Sequence, residues 1–376
     1  MGAAPSLPHP VRVAEQFWPD GTEPVVSVFC MTYNHAAFVE DALQGFLMQR
    51  TTFPVEIFVH DDASTDGTAE ILKAYAASYP KLFRTVLQVE NQWSKHAPHR
   101  FLRKAKLLPP AAHLSEQRGE FIAMCEGDDF WVDPMKLEKQ FRFMRENPSC
   151  AGVFHRCLVV DAGKRQISDF WNGREYKARY SQKECLLDLG SAYATASLFF
   201  RKSSLQEGRS PSYYRKLPCD HTLDVFLTES GDLAFIDFVG SAYRKHPGGV
   251  WWSASSLEQQ KILAERFLCF LSDPELRRRY SRGLVAALSG SYRSIWWAFY
   301  KGGPASWMRA YARVLGLIRD PAHYIWFARY SVSHGSVVRF TLGDLLKSGL
   351  RAIAKRILGL WARTSWSAQD VPGGRQ

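Results

Sequence analysis

The chain has 376 residues, of which 46% are hydrophobic and 23% charged, values typical of globular proteins and not of disordered, collagen-like or disulfide-stapled chains. This length favours one large α/β domain with an added segment. The seven cysteines form neither a CxxC pair nor an evenly spaced framework, so we interpret them as reduced thiols of a cytosolic protein.

The formal net charge of +11 comes entirely from the last third of the chain. Residues 255–376 contain 19 basic and 7 acidic residues, whereas residues 1–254 contain 29 and 30. A basic segment of this kind favours nucleic acid or an anionic membrane surface as a partner. Interleaved aromatic residues favour the membrane, and no nucleic-acid partner is expected. The tryptophans of this segment are Trp296, Trp297, Trp307, Trp326, Trp361 and Trp366.

The N-terminal extension, residues 1–23, is rich in proline and lacks a charged start followed by an apolar run. It therefore reads as neither a secretory signal nor an anchor. No uninterrupted apolar run in the chain reaches the roughly 18 residues needed to span a bilayer. These features predict a cytoplasmic protein, peripheral on the inner face of the cytoplasmic membrane.

Alternating strand and helix patterns begin at residue 24. The almost continuously apolar run 24–31 predicts a parallel strand buried on both faces. Phe38, Ala42 and Phe46 then follow helical spacing, and a strand at 55–59, a helix at 69–78 and a strand at 83–89 come next. This order predicts a mostly parallel, doubly wound sheet whose ligands bind beyond the carboxyl ends of the strands.

The pattern continues after a polar, proline-broken loop at residues 91–118, and the α/β domain is predicted to cover 24–254. The expected elements are strands at 121–125, 152–160, 196–200 and 233–239, a helix after Pro134, a helix after 181 and a helix that opens at Asp220. From residue 255 to 376 the chain reads as helical, basic and aromatic. One apolar stripe recurs there at helical spacing: Leu346, Leu350, Ile353, Ile357 and Leu360. We predict a membrane-docking surface within about 290–363, although a helix packed on the catalytic domain fits the same stripe.

The acidic cluster Glu126-Gly127-Asp128-Asp129 directly follows a predicted buried strand. Three carboxylates crowded at a strand end repel one another, and a divalent cation removes that repulsion. Hard oxygen ligands on a short turn suit Mg²⁺ or Mn²⁺, which typically takes one or two protein carboxylates together with phosphate oxygens. The alternative is a solvated loop in which Asp129 or Asp133 caps the next helix, but this explains only one of the acids.

A second acidic turn, Asp61 to Thr68, follows the second predicted strand. Its Asp, Ser, Thr and Gly residues also occur in ordinary turns and helix caps. Its position at the end of a strand nevertheless lets a carboxylate accept hydrogen bonds from a nucleobase or ribose. The chain carries no P-loop, no GxGxxG after the first strand and no GxSxG elbow, which removes support for ATPase, dehydrogenase and serine hydrolase functions.

Together these segments resemble the inverting family-2 glycosyltransferases of the GT-A fold, in the bacterial branch that builds surface polysaccharides and lipopolysaccharide. The resemblance covers roughly residues 24–252 and rests on five motifs in the expected order and spacing. They are Val26-Ser27-Val28, Thr32-Tyr33-Asn34, the turn from Asp61 to Thr68, Glu126-Gly127-Asp128-Asp129-Phe130-Trp131, and Tyr243-Arg244-Lys245-His246-Pro247-Gly248-Gly249-Val250-Trp251.

The resemblance implies a metal-dependent transfer from a nucleotide sugar, with a UDP-sugar as the expected donor, to a glycan or lipid-linked acceptor. Thr32 and Tyr33 would border the nucleotide, and Asp62 would hold its base or ribose. Asp128 and Asp129 would contact the ribose and the cation, with Glu126 as the leading acid of the motif and His246 at the metal or diphosphate. Asp220 would be the general base.

Some alternatives stay open at this point. Asp224 lies one helical turn after Asp220 and is a second candidate base, while His221 reads as an ordinary exposed or packed histidine. A nucleotidyltransferase also uses acidic pairs and Mg²⁺, but normally carries a glycine-rich basic loop where this chain has Thr-Tyr-Asn-His. A non-catalytic protein that binds membrane or nucleic acid through its basic tail is the other alternative.

Overall fold

A computed structural model of the protein describes residues 6–92, 113–114, 116–168, 175–188, 193–205 and 220–249, with 186–188 and 220–222 described by their backbone. The chain divides into two units, Met1–Cys269 and Phe270–Gln376, and every described residue lies in the first. The predicted docking surface at 290–363, the amphipathic stripe within it and most of the predicted loop at 91–118 lie outside the described residues.

The described strands are short except for β8 and β12, which have 12 and 14 residues and pair with each other. Their bounds are β1 Val11–Arg12, β2 Val26–Thr32, β3 Arg50–Thr51, β4 Val55–Asp61, β5 Phe83–Leu87, β6 Phe121–Glu126, β7 Phe130–Trp131, β8 Cys150–Asp161, β9 Gln166–Ser168, β10 Arg179–Tyr180, β11 Phe199–Arg201 and β12 Asp232–Lys245. The strands predicted at 24–31, 55–59 and 121–125 therefore correspond to β2, β4 and β6.

The helices pack against this sheet. Their bounds are α1 Val39–Leu47, α2 Thr68–Ser78, α3 Lys136–Glu146, α4 Gln182–Asp188 and α5 Asp220–Leu227, with 3-10 turns at Val13–Glu15, Thr195–Ser197 and Lys202–Leu205. The predicted strand at 196–200 starts only at Phe199, because Thr195–Ser197 form one of these turns. Within the described ranges, no helix is long and apolar enough to cross a lipid bilayer.

Ten strands form one mixed sheet whose main path runs β10-β12-β8-β11-β6-β2-β4-β5, with β7 paired to β12 and β9 to β8. The neighbours β6, β2, β4 and β5 are all parallel, as the alternating pattern predicts. β11 is antiparallel to both β6 and β8. β12 runs parallel to β8. The fold class is therefore α/β, as predicted, and the sheet is mixed: β6-β2-β4-β5 and the β8-β12 pair are parallel, whereas the other pairings are antiparallel.

The hydrophobic core lies on both faces of the sheet, which is why the central strands are apolar at nearly every position. Alternate residues of a strand point to opposite faces. Val28 and Cys30 of β2 join the cluster that contains Leu43 and Phe46 of α1. Phe29 of the same strand belongs to the opposite cluster, and its ring stacks on that of Phe58 in β4 at 5.6 Å between centroids.

β12 is longer than the strand predicted at 233–239, and its extra length matters for the site. The sequence pattern breaks at Gly240, yet the strand continues to Lys245 with three irregularities in its register with β8, two of them between Ile236 and Ser241. A side chain at residue 240 would bring a Cβ within 2.7 Å of the His155 ring, so glycine permits a close approach of the two strands. Beyond that point, Ser241 and Ala242 pair with Trp131 and Phe130 of β7.

Candidate active site

Three neighbouring parallel strands end at one edge of the sheet and bring the two acidic turns together. In the register of the sheet, Thr32 of β2 lies beside Asp61 of β4, and Met31 lies beside Glu126 of β6. The Asp62 backbone N–H donates to the Thr32 carbonyl at 2.9 Å. The predicted nucleotide-binding residues thus share the edge at which open α/β sheets bind their ligands.

Two of the acids in the turn from Asp61 to Thr68 hold the turn itself. Asp61 Oδ1 accepts the Thr32 hydroxyl at 2.8 Å, and its Oδ2 accepts the Ser64 backbone N–H at 3.0 Å. Asp66 Oδ2 accepts the Ala36 backbone N–H at 2.9 Å and so links the turn to the segment after β2. Asp61 and Asp66 are therefore structural residues, which the sequence motif does not separate from Asp62.

Asp62 is buried at the end of β4, and its Oδ1 accepts the Gln92 backbone N–H at 2.8 Å. Ala63, next to it, has a left-handed backbone with φ of 62°, as does Asn34 with φ of 54° in the facing segment. Asn34 Oδ1 accepts the Thr65 backbone N–H at 2.8 Å. Tyr33 is 45% exposed in the same facing segment, where its ring is free to contact a ligand.

The turn from Glu126 to Asp129 packs tightly against the end of β2. The Gly127 N–H donates to the Met31 carbonyl at 2.8 Å. A Cβ on residue 127 would lie 2.4 Å from Thr32 Cγ2 and 3.1 Å from His35 Nδ1. Glycine is therefore needed between Glu126 and Asp128 to bring the acidic turn against the first strand.

Asp128 and Asp129 point to different surroundings. Asp128 Oδ2 lies 3.0 Å from His246 Nε2 and 3.6 Å from His35 Nε2, and its side chain is 20% exposed. Burial opposes ionisation of Asp128, but the hydrogen bond from His246 and the charges of His35 and His246 hold the pKa of this carboxyl below its usual value. Asp128 is thus an ionised carboxylate at the mouth of the site.

Asp129, by contrast, is 1% exposed. Its Oδ1 accepts the Arg244 backbone N–H at 2.9 Å, and its Oδ2 has no hydrogen-bond partner among the described residues. Burial, together with the charges of Asp128 and Glu126, raises the pKa of Asp129 well above its usual value. Asp128 therefore stays partly exposed beside two histidines, whereas Asp129 fastens the turn to β12.

Whether a divalent cation fits at this turn depends on which of the acidic side chains are available to bind it. Among the described residues, no three His, Cys, Asp or Glu side chains form a ready-made metal cluster. Of the three predicted ligands, Asp128 and His246 lie together and Asp129 is engaged by Arg244. A carboxylate and an imidazole suit a cation that takes its remaining ligands from a diphosphate, since Mg²⁺ commonly uses one or two protein ligands and substrate phosphates.

Of the two candidate bases, Asp220 is the first residue of α5, and only its backbone is described. The same holds for His221. Asp224, one turn along the helix, is buried, and the Tyr193 hydroxyl donates to its Oδ1. The Asp224 carboxylate therefore anchors α5 to the segment before β11.

Sequence reasoning missed His35 and the role of Arg244. His35 follows Thr-Tyr-Asn after β2, and burial lowers the pKa of its imidazole below the usual value. Its only sequence signal is a polar residue after a strand end. Arg244 belongs to the motif from Tyr243 to Trp251, but its role depends on partners from distant segments, which only the fold shows.

Known proteins share both the sequence pattern and the fold. The model of the family described as "Glycosyl transferase family 2" matches residues 27–208. The Rv1520 protein of Mycobacterium tuberculosis is 34% identical over 237 residues, or 61% of this chain, and the chain spans 61% of the length of that relative. TuaG of Bacillus subtilis, named as a teichuronic acid biosynthesis glycosyltransferase, is 33% identical over 132 residues, 35% of this chain and 46% of TuaG.

Among solved structures, the fragment 1-349 of Staphylococcus aureus TarS in complex with UDP-GlcNAc matches with a TM-score of 0.57 at 14% identity. The match covers 86% of this chain and 92% of the TarS chain. A complex of the same fragment with UDP has a TM-score of 0.52 at 16% identity and covers 93% and 95% of the two chains. At this identity the likeness is one of fold, and it agrees with the order of strands and helices described above. Residues 27–208 therefore match glycosyl transferase family 2, and the described residues have the α/β fold of the GT-A type.

Proposed function

We propose that this protein is an inverting glycosyltransferase that moves a sugar from a nucleotide-sugar donor to a glycan or lipid-linked acceptor. The observation that carries the proposal is the pairing of Asp128 with His246, 3.0 Å apart, at the strand edge that also holds Asp62. A nucleotide bound at Asp62 and a diphosphate bound at Asp128 would lie across the carboxyl ends of β4, β2 and β6, as expected for a ligand of an open α/β sheet.

The donor would bind with its base or ribose at Asp62 and with Thr32 and Tyr33 beside it. Asp62 supplies a buried carboxylate, and Tyr33 supplies an exposed aromatic ring. TarS, whose fold this chain shares, has been crystallised with UDP-GlcNAc, so UDP-sugars are the first donors to test.

Asp128 and His246 would hold a divalent cation, Mg²⁺ or Mn²⁺. When bound, such an ion would supply positive charge against the developing charge of the departing diphosphate. Asp128 suits this role because its carboxyl pKa is lowered, so the oxygen ligand is ionised at neutral pH. Asp129 would act on the turn and not on the ion, because its Oδ1 already accepts the Arg244 N–H.

Asp220 would be the general base. Its carboxylate would take the proton of the acceptor hydroxyl while the new bond to the anomeric carbon forms and the bond to the diphosphate oxygen breaks. The pairing of Asp224 with Tyr193 supports this choice, because a buried carboxylate with a hydroxyl partner is poorly suited to meet an acceptor.

A donor-hydrolysis and transfer screen tests the function. UDP-, GDP- and dTDP-sugars are offered with Mn²⁺, and we expect turnover of at least one donor that excess EDTA abolishes. The Asp220→Asn variant should lower kcat by about 10²–10⁴-fold with nearly unchanged nucleotide affinity. The exposed Asp237→Asn, on β12, is the matched control. Lack of turnover with every donor, or turnover unaffected by EDTA, would reject the metal-dependent reaction.

The acceptor and the cellular site form a finer part of the proposal. Surface polysaccharide or lipopolysaccharide biosynthesis agrees with the name of TuaG. The net positive charge and the tryptophans of residues 255–376 support docking on the anionic inner face of the cytoplasmic membrane. Flotation with anionic liposomes at low salt, with and without residues 343–376, tests this: equal recovery of both proteins in the soluble fraction would contradict membrane docking.

A further inference from the structure

Arg244, near the end of β12, is a fully buried cation with every side-chain nitrogen engaged. Its side chain donates from Nε to the Asp128 carbonyl at 2.8 Å, from Nη1 to the Ala162 carbonyl at 3.0 Å and from Nη2 to Asp41 Oδ2 at 2.7 Å. The rings of Phe38 and Phe130 lie 4.8 and 5.0 Å from its Cζ. Burial of a cation costs several kcal/mol unless hydrogen bonds compensate for it, and here each of the three guanidinium nitrogens donates one.

The same residue contacts both members of the acidic pair. Its backbone N–H donates to Asp129 Oδ1 at 2.9 Å, while its side chain holds the carbonyl of Asp128. The turn is also closed internally, since the Asp129 N–H donates to the Glu126 carbonyl at 3.2 Å. The Arg244 side chain therefore holds the Asp128 peptide in place.

The other group that contacts Asp128 comes from the same strand end. His246 lies two residues after Arg244, and its Nε2 is 3.0 Å from Asp128 Oδ2. Residues two apart on extended backbone lie on the same side of it. Arg244 of β12 and His246 just after it thus contact Asp128 at two points. Arg244 binds the Asp128 carbonyl, and His246 binds its carboxylate.

We infer that Arg244 is a positioning residue that sets Asp128 and His246 at the spacing needed to bind a cation together with the donor diphosphate. This inference rests on the proposed function, because it concerns the cation assigned there to Asp128 and His246. Asp41 holds the Arg244 guanidinium through Oδ2, and Lys164 Nζ binds Oδ1 of the same carboxylate. A lysine at 244 would keep the charge but lacks the planar fork that reaches three partners at once.

Arg201 offers a matched control for burial and for hydrogen bonding to backbone. It is a largely buried arginine whose Nε donates to the Cys150 carbonyl at 3.1 Å and whose Nη2 donates to the Met144 carbonyl. Its Cζ lies 5.1 Å from the Phe121 ring. Arg201 lies at the starts of β6 and β8, away from the acidic turn.

The experiment compares wild type with Arg244→Lys, Arg244→Met, Asp41→Asn and Arg201→Met in the full chain. Binding of Mn²⁺ in the presence of UDP is measured from the free-ion electron paramagnetic resonance signal. Hydrogen exchange of residues 126–131 is measured on the metal-free protein, and thermal melting reports stability. We expect Arg244→Met to weaken Mn²⁺ binding by about 10–100-fold and to speed exchange in the acidic turn, with partial recovery in Arg244→Lys.

Arg201→Met should lower the melting temperature but leave Mn²⁺ binding within about twofold of wild type, since Arg201 contacts the starts of β6 and β8 and not the acidic turn. If Arg244→Met does not fold, Arg244→Lys and Asp41→Asn carry the comparison, and weaker Mn²⁺ binding in both supports the inference. Unchanged Mn²⁺ binding in the Arg244 variants, or an equal loss in Arg201→Met, overturns the role of Arg244 while the proposed function stands. Absence of Mn²⁺ binding with UDP by wild type overturns both.

Discussion

Both ends of the central sheet bury carboxylates, but the hydrogen bonding of the carboxylate oxygens differs between the two ends. At the amino end, Glu56 of β4 accepts hydrogen bonds on both oxygens, from the Ser27 hydroxyl at 2.6 Å and the Arg118 Nε at 2.7 Å. Arg84 Nη1 adds a contact at 3.3 Å. At the carboxyl end, Asp129 has one oxygen without a hydrogen-bond partner among the described residues.

The pKa directions follow this difference. Burial alone would raise the pKa of Glu56, but the bonds from Ser27 and Arg118 outweigh it and lower that pKa. Burial, added to the charges of Asp128 and Glu126, raises the pKa of Asp129. A buried acid whose two oxygens are both bonded to protein groups stabilises the fold, whereas the crowding of buried Asp129 with Asp128 and Glu126 makes its ionised form costly.

Asp128→Asn should produce the largest effect on activity. We expect turnover to fall by about 10²–10³-fold, because the charge that faces the cation and diphosphate is lost. The fold should persist, since the Arg244 bond to the Asp128 carbonyl does not involve the substituted group. Initial rates and thermal melting check this, and an active Asp128→Asn would break the contrast between the two ends of the sheet.

Glu56→Gln should act on stability instead. Loss of the buried charge leaves Arg118 and Arg84 without their carboxylate, and we expect the free energy of unfolding to drop by about 2–3 kcal/mol. Turnover per folded molecule should match wild type. Glu70→Gln, which removes an exposed ion pair with Lys73, is the control and should change stability by less than about 0.5 kcal/mol. Urea unfolding and rate measurements on the same samples separate the two properties.

Gly127→Ala tests how closely the acidic turn must approach β2. The added Cβ would lie 2.4 Å from Thr32 Cγ2, so the turn must shift, at a cost of roughly 1–2 kcal/mol. We expect the affinity for Mn²⁺ with UDP to fall by about tenfold as Asp128 moves from His246. Gly163→Ala is the control, since its Cβ would come no closer than 3.4 Å to Asp161 Oδ1. Equal affinities in the two variants would contradict this account of the turn.

Asp129→Asn should have the smallest effect, opposite in sign to that of Glu56→Gln. The raised pKa means that folded Asp129 keeps a proton that the unfolded chain releases above about pH 4. The stability that Asp129 gains from binding this proton is therefore fully present below about pH 4. It is lost as the pH rises toward the raised pKa. Asparagine does not titrate, so its advantage over wild type should grow to about 1 kcal/mol or more by neutral pH. Thermal melts at pH 4, 6 and 8 measure it, and a pH-independent difference would argue against a raised pKa.

The sequence by itself determined the sheet and the edge at which the site lies. Mostly apolar runs at 24–31, 55–59 and 121–125 predicted β2, β4 and β6, because strands covered on both faces carry apolar side chains at most successive positions. The acidic residues directly after these runs identified the edge. Both signals are local, since a strand pattern and the turn after it are written in neighbouring residues.

Only the tertiary structure decided which partners Asp128 and Asp129 each contact. Asp128 and Asp129 are adjacent and chemically identical, yet one meets His246 and the other meets the Arg244 backbone, more than a hundred residues away. That distinction depends on the register of β12, which continues past Gly240 because glycine fits against His155. The pattern of a strand reports which face each side chain takes, but pairing between distant strands depends on packing and hydrogen bonds that form only when the whole sheet is assembled.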